Sequence, residues 1–112
     1  MKYISDEDKM RVALDEARKA FDIDEVPVGA AIFDKDDNLI CANHNRRELD
    51  QNPMSHAEIL VLEEASQILG TWRLEETTIA VTLEPDAMCA GAISLSRVKT
   101  VSYTHLTLPT IR

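Results

Sequence analysis

Two short stretches of this 112-residue chain gather residue types that can do metal chemistry: His56-Ala57-Glu58 and Pro85-Asp86-Ala87-Met88-Cys89. Each stands where the surrounding pattern predicts a helix to begin. A helix N-terminus disfavours protonation of His, leaving a lone pair for a metal, and it lowers the pKa of a Cys, favouring the thiolate that zinc requires. A carboxylate beside a metal-bound water can shuttle protons, which is the natural task for Glu58. Spacing alone does not bring His56 and Glu58 to one place, because residues two apart on a regular helix do not share a face. Each residue also has an ordinary role when taken singly. Glu58 suits a first helical turn, His56 a cap or a core, and Asp86, following Pro85, an N-cap.

The elements that must position these residues follow from periodicity. Ser5-Asp6-Glu7-Asp8 supplies a capping hydroxyl and first-turn acids for a helix whose apolar stripe is Met10, Ala13, Leu14, Ala17 and Phe21, with Lys9, Asp15, Glu16 and Arg18 off it. The apolar runs 26–33 and 39–42, on either side of the polar cluster 34–38, predict a hairpin. A polar loop fills 43–53. The stretch 55–69, rich in Ala, Leu, Ile and Glu and ending at Gly70, predicts a second long helix. Residues 77–83 read as a buried strand, 87–95 as a small-residue helix, and Val98 as the start of a last strand. The expected order is therefore α-β-β-α-β-α-β, a mixed sheet covered by helices.

Composition narrows the function classes. Hydrophobic residues make up 45% and charged ones 29% of the chain, the balance of a globular domain rather than a disordered tail. No apolar run is long enough to span a bilayer and no signal segment follows Met1 to Asp8, which predicts a cytoplasmic protein without membrane association. The two cysteines, Cys41 and Cys89, cannot build a disulfide framework. A net charge of −8 argues against broad nonspecific nucleic-acid binding, so any such substrate must be gripped locally.

The same residues carry a family resemblance. H-x-E followed by P-x-x-x-C resembles the H-x-E and P-C-x-x-C signature of the zinc nucleobase deaminases, the cytidine/deoxycytidylate deaminase family. Within that family the chain is similar to the bacterial tRNA adenosine deaminase branch. The likeness is carried by Val26-Pro27-Val28-Gly29-Ala30, Asn45, His56-Ala57-Glu58-Ile59, Thr82-Leu83-Glu84-Pro85, and Met88-Cys89-Ala90-Gly91-Ala92-Ile93 through Ser96-Arg97-Val98. It implies an α/β three-layer deaminase-like sandwich, with a mixed sheet flanked by helices and C-terminally truncated. It also implies hydrolytic conversion of adenosine to inosine at the wobble position of a tRNA anticodon loop. By position His56 and Cys89 would be Zn2+ ligands, joined by Asp86, Glu58 the catalytic proton shuttle, and Asn45, Val28 and Ala57 the lining that holds the flipped base. The implied partners are a tRNA anticodon stem-loop and, at full length, a second copy in a homodimer. A free nucleobase or nucleoside deaminase and a weakened paralogue serving as a binding partner are the alternatives.

The pattern departs from the family at position 86, where the signature has Cys and this chain has Asp86. Aspartate is a permitted zinc ligand at about 2.0–2.2 Å and keeps the ligand charge of a thiolate, but it is a harder and weaker donor than sulfur at about 2.3 Å, so affinity should fall. Capping and ligation would compete for its oxygens. Outside the motifs, Cys41 reads as a small buried strand residue, His44 as a solvated loop residue, Met54 and Met88 as packing, and 34–37 as a solvated turn. Residues 101–110 resemble one reading frame of a transposase adapter used in preparing sequencing libraries. The expected organisation is thus an incomplete deaminase-like domain over 1–100 and a non-native tail over 101–112.

Overall fold

A computed structural model describes residues 1–103 and the backbone of 106–109. Nine elements follow in order: α1 (Asp6–Asp22), β1 (Gly29–Phe33), β2 (Leu39–His44), α2 (Arg47–Asp50), α3 (Ala57–Leu69), β3 (Thr78–Val81), α4 (Ala87–Leu95), β4 (Thr100–Tyr103) and β5 (Leu106–Pro109). The strands form one mixed sheet in the order β2-β1-β3-β4-β5. β1 pairs antiparallel with both β2 and β3, while β3 and β4 run parallel, as a strand, helix, strand crossover through α4 requires. β4 spans the boundary expected at residue 100, and β5 pairs antiparallel with it. The rest of the tail expected over 101–112, at 104, 105 and 110–112, lies outside the described residues.

β1 is buried along its whole length because both faces of the sheet are covered. On one face Ala30, Ile32, Ile79 and Val81 pack with Ala57, Val61, Leu62 and Ala65 of α3 and Ile93 of α4. On the other Ala31, Phe33 and Ala80 meet Ala13 of α1. Alternation along a strand thus builds two cores and three layers.

Local signals set the ends of these elements. The Ser5 side chain accepts the Asp8 N–H to cap α1, and Gly70 closes α3 in the left-handed region at φ 71°. The packing face of α1, however, is rotated from the expected stripe. Leu14 and Phe21 are 54% and 67% exposed, while Ala13, Ala17 and Ala20 are buried with Lys9 and Glu16. Gly29 supplies the reason. A Cβ there would lie 1.9 Å from the Ala13 carbonyl oxygen, so α1 rests against β1 at a distance that admits only small residues, and the large apolar side chains are turned outward. Lys9 is buried without being stranded, because its Nζ donates to the Ile4 carbonyl at 3.1 Å and to Asp37 Oδ1 at 2.9 Å. The loop expected over 43–53 contains the short helix α2. Its N-cap residue, Arg46, makes no side-chain cap, and the carboxylate of buried Glu25 accepts the Leu49 N–H at 2.7 Å in its place.

Candidate metal and catalytic site

α3 and α4 lie on the same face of the sheet and pack against each other, bringing their N-termini together. His56 is the N-cap of α3, with extended backbone at φ −79° and ψ 146°. It stands outside the helix, so the rule against helix residues two apart sharing a face does not apply, and its ring and the Glu58 side chain reach the same place. The α3 N-terminus is capped from elsewhere: Asn45 Oδ1 accepts the Ala57 N–H at 2.8 Å. This leaves the His56 imidazole uncommitted to the backbone. Asp86 caps α4 with its own side chain, Oδ1 accepting the Cys89 N–H at 2.9 Å.

Three donor atoms converge. His56 Nδ1 is 3.7 Å from Cys89 Sγ and 3.5 Å from Asp86 Oδ2, and one ligand atom from each residue lies within 4.8 Å of the others. For tetrahedral zinc at ordinary bond lengths the N···S and N···O edges are about 3.6 and about 3.4 Å, so the two separations from His56 Nδ1 fit a shared cation. The two Asp86 oxygens resolve the expected competition, one capping and the other facing His56.

The electrostatics support the same fit. Glu58 is 5% exposed, and its Oε1 is buried with no hydrogen-bond partner. Burial pushes its carboxyl above the usual range, against the pull of its own backbone N–H, Cys89 and His56. The Cys89 thiol is raised as well, by burial first and then by the Glu58 and Asp86 carboxylates, so the thiolate expected from its helix position is outweighed. The Cys89 N–H holds the Asp86 carboxyl below its ordinary value. Three acidic groups therefore crowd one imidazole. A divalent cation is the neighbour that would reconcile them, and it would deprotonate the thiol.

The remaining expected site residues adjoin this group. Asn45 donates its N–H to the Val28 carbonyl at 3.1 Å and caps Ala57. Val28 and Ala57 bury their side chains in the core beneath α3, so they contribute backbone and position. His44 corrects the expectation of a solvated loop residue: it ends β2, is buried, and its Nδ1 lies 2.8 Å from the Asn45 carbonyl oxygen. Met54 and Met88 are not core packing, being 57% and 41% exposed beside the site's two helix starts. Cys41 is a buried strand residue, as expected, its Sγ donating to the Val61 carbonyl. Sequence patterning quoted Thr82 within a motif block but missed its pairing, Oγ1 accepting the Gly29 N–H at 3.1 Å, and it missed Glu25 altogether. The Val26-Pro27-Val28-Gly29 block is the signal beside both.

This three-layer α/β domain presents His56, Asp86 and Cys89, with buried Glu58, at two adjoining helix starts, a group that could hold a metal ion. The chain belongs to the family described as the cytidine and deoxycytidylate deaminase zinc-binding region, whose model matches residues 4–105. It is 50% identical over 98 residues to the tRNA-specific adenosine deaminase of Bacillus subtilis (strain 168), a match covering 88% of this chain and 60% of that relative. This chain thus spans about three fifths of the relative's length. A structure solved in studies of A-to-I editing by tRNA:A34 deaminases at the wobble position of transfer RNA aligns with a TM-score of 0.82 at 42% identity, over 85% of this chain and 72% of that one. Guanine deaminase from Bacillus subtilis aligns with a TM-score of 0.86 at 28% identity, over 90% and 64%. Among the described residues no helix is long and apolar enough to cross a membrane.

Proposed function

We propose that this site performs the hydrolytic deamination of adenosine to inosine at the wobble position of a tRNA anticodon loop, with His56, Asp86 and Cys89 holding zinc. The observation that carries the chemistry is the unpartnered, buried Oε1 of Glu58 beside three convergent donors. The likeness to a tRNA-specific adenosine deaminase and to a tRNA:A34 deaminase structure supports the substrate. When bound, zinc would supply Lewis-acid activation of the attacking water. Glu58 accepts a proton at Oε1 as the water adds to adenine C6 and passes it to N1, then carries the hydroxyl proton to the exocyclic nitrogen, which leaves as ammonia. Water and adenosine thus become inosine and ammonia. Asn45 commits Oδ1 to the Ala57 N–H, and its NH2 group serves as the donor that meets the base. The anticodon loop suits such a site because its bases are already largely unstacked.

This reading carries a cytoplasmic location, where tRNA is met. It also carries a homodimer at full length. No side chain beyond Cys89 is assigned a role in this chemistry; residues 101–112 are proposed to be foreign in origin, with 101–103 continuing the sheet as part of β4. A second reading, deamination of free guanine, is favoured by the acidic charge and by the guanine deaminase alignment. Inosine formation in a wobble-adenosine stem-loop, followed by mass spectrometry, separates the two. Glu58→Gln should lower turnover by about 10²–10⁴-fold while zinc content is kept, and His56→Ala should lose both. Activity on free guanine alone would overturn the RNA reading.

A further inference from the structure

The chain's departure from the family signature sits at the point where the metal group and a helix cap meet. Asp86 Oδ1 accepts the Cys89 N–H at 2.9 Å, while Oδ2 lies 3.5 Å from His56 Nδ1. A thiol at this position is only a weak acceptor and would give up most of the cap to gain a soft donor. The carboxylate does both, but it contributes oxygen where the signature has sulfur.

We propose that Asp86 divides its two oxygens between capping α4 and ligating the metal, making a mixed nitrogen, oxygen and single-thiolate centre that discriminates less between zinc and harder divalent ions than a two-thiolate centre does. The inference rests on the metal-binding part of the reading above and not on its RNA substrate. Thiolates select zinc over hard ions, whereas carboxylates also suit manganese, so exchanging one sulfur for oxygen narrows the preference without changing the ligand charge.

Because the two roles use different atoms, substitutions separate them. Asp86→Asn keeps a side-chain oxygen for the cap but removes the anionic donor, and Asp86→Ser keeps a cap alone. Asp86→Cys restores a second sulfur and weakens the cap. Zinc(II) and manganese(II) are titrated against a competing chelator for the parent and each variant, with thermal melting of the unliganded chain as the folding control and no RNA present. Asp86→Asn and Asp86→Ser should bind zinc at least about tenfold more weakly while melting close to the parent. In Asp86→Cys the ratio of manganese to zinc dissociation constants should widen by at least about tenfold, and the unliganded chain should melt lower. Zinc affinity unchanged in Asp86→Asn, or an unchanged ratio in Asp86→Cys, would overturn the proposal and leave Asp86 a cap alone. Zinc binding by none of the chains, Asp86→Cys included, would overturn both this and the metal-binding reading, whereas failure on the stem-loop would touch only the substrate.

Discussion

The starts of α3 and α4 face the same site but solve the same problem differently. At α3 the N-cap residue is His56, and its ring is spared for the metal group because Asn45, from the end of the hairpin, takes over the Ala57 N–H. At α4 the N-cap residue, Asp86, makes its own cap and reaches the group with its other oxygen. A helix start leaves unsatisfied N–H groups that something must accept. A long-range cap frees the local side chain for chemistry, and a local cap requires one with two acceptors.

This comparison predicts unequal effects. Asn45→Ala should be the larger, costing about 1–2 kcal/mol of stability through the orphaned, buried Ala57 N–H, and it should weaken zinc binding because the His56 backbone loses its anchor. Chemical denaturation with and without zinc measures both. Equal loss in the two conditions would show that the remote cap serves stability alone. Asp86→Ala removes an exposed cap and should cost about 0.5–1 kcal/mol in the unliganded chain, with the greater deficit appearing on adding zinc. A larger loss than for Asn45→Ala would break the distinction between the two helix starts.

A pH-dependent effect sharpens the contrast between the two buried thiols. Cys41, away from the site, is pushed up to about 12 by burial, with the Glu64 carboxylate adding to it. Its ordinary value of about 8.5 applies in the unfolded chain, so the folded state holds the proton more tightly. The stability this confers is complete below the unfolded pKa and is lost as pH rises towards the folded one. The stability of the parent relative to Cys41→Ala should therefore decline between about pH 9 and 12. A constant difference across that window, read from denaturation midpoints, would contradict it. Cys89 differs in that two carboxylates, Glu58 and Asp86, rather than one, add to burial at its sulfur.

Much of this domain could be read directly from its residues. Ala87–Leu95 and the stop at Gly70 are set by local preferences, and the hairpin around 34–38 follows from a polar cluster between apolar runs, with Asp34 Oδ1 accepting the Asp36 and Asn38 N–H groups. His56, Glu58, Asp86 and Cys89 are picked out as candidates by residue type and by the family blocks they lie in, and helix starts announce themselves through capping residues nearby in the chain. Those signals act over a few residues, which is why sequence alone determined them.

The tertiary structure decided what depends on long-range contact. The close approach of α1 to Gly29 turned Leu14 and Phe21 outward and brought Lys9 into the interior, where Asp37, from the hairpin turn, meets it. Glu25 caps α2 and Asn45 caps α3 across 24 and 12 residues of chain. The direction of each Asp86 oxygen and the rise of the Cys89 thiol follow from which side chains the packed helices place beside them. Periodicity reports how apolar a face is, while the distance between backbones decides which face fits, and that distance exists only once the layers have closed.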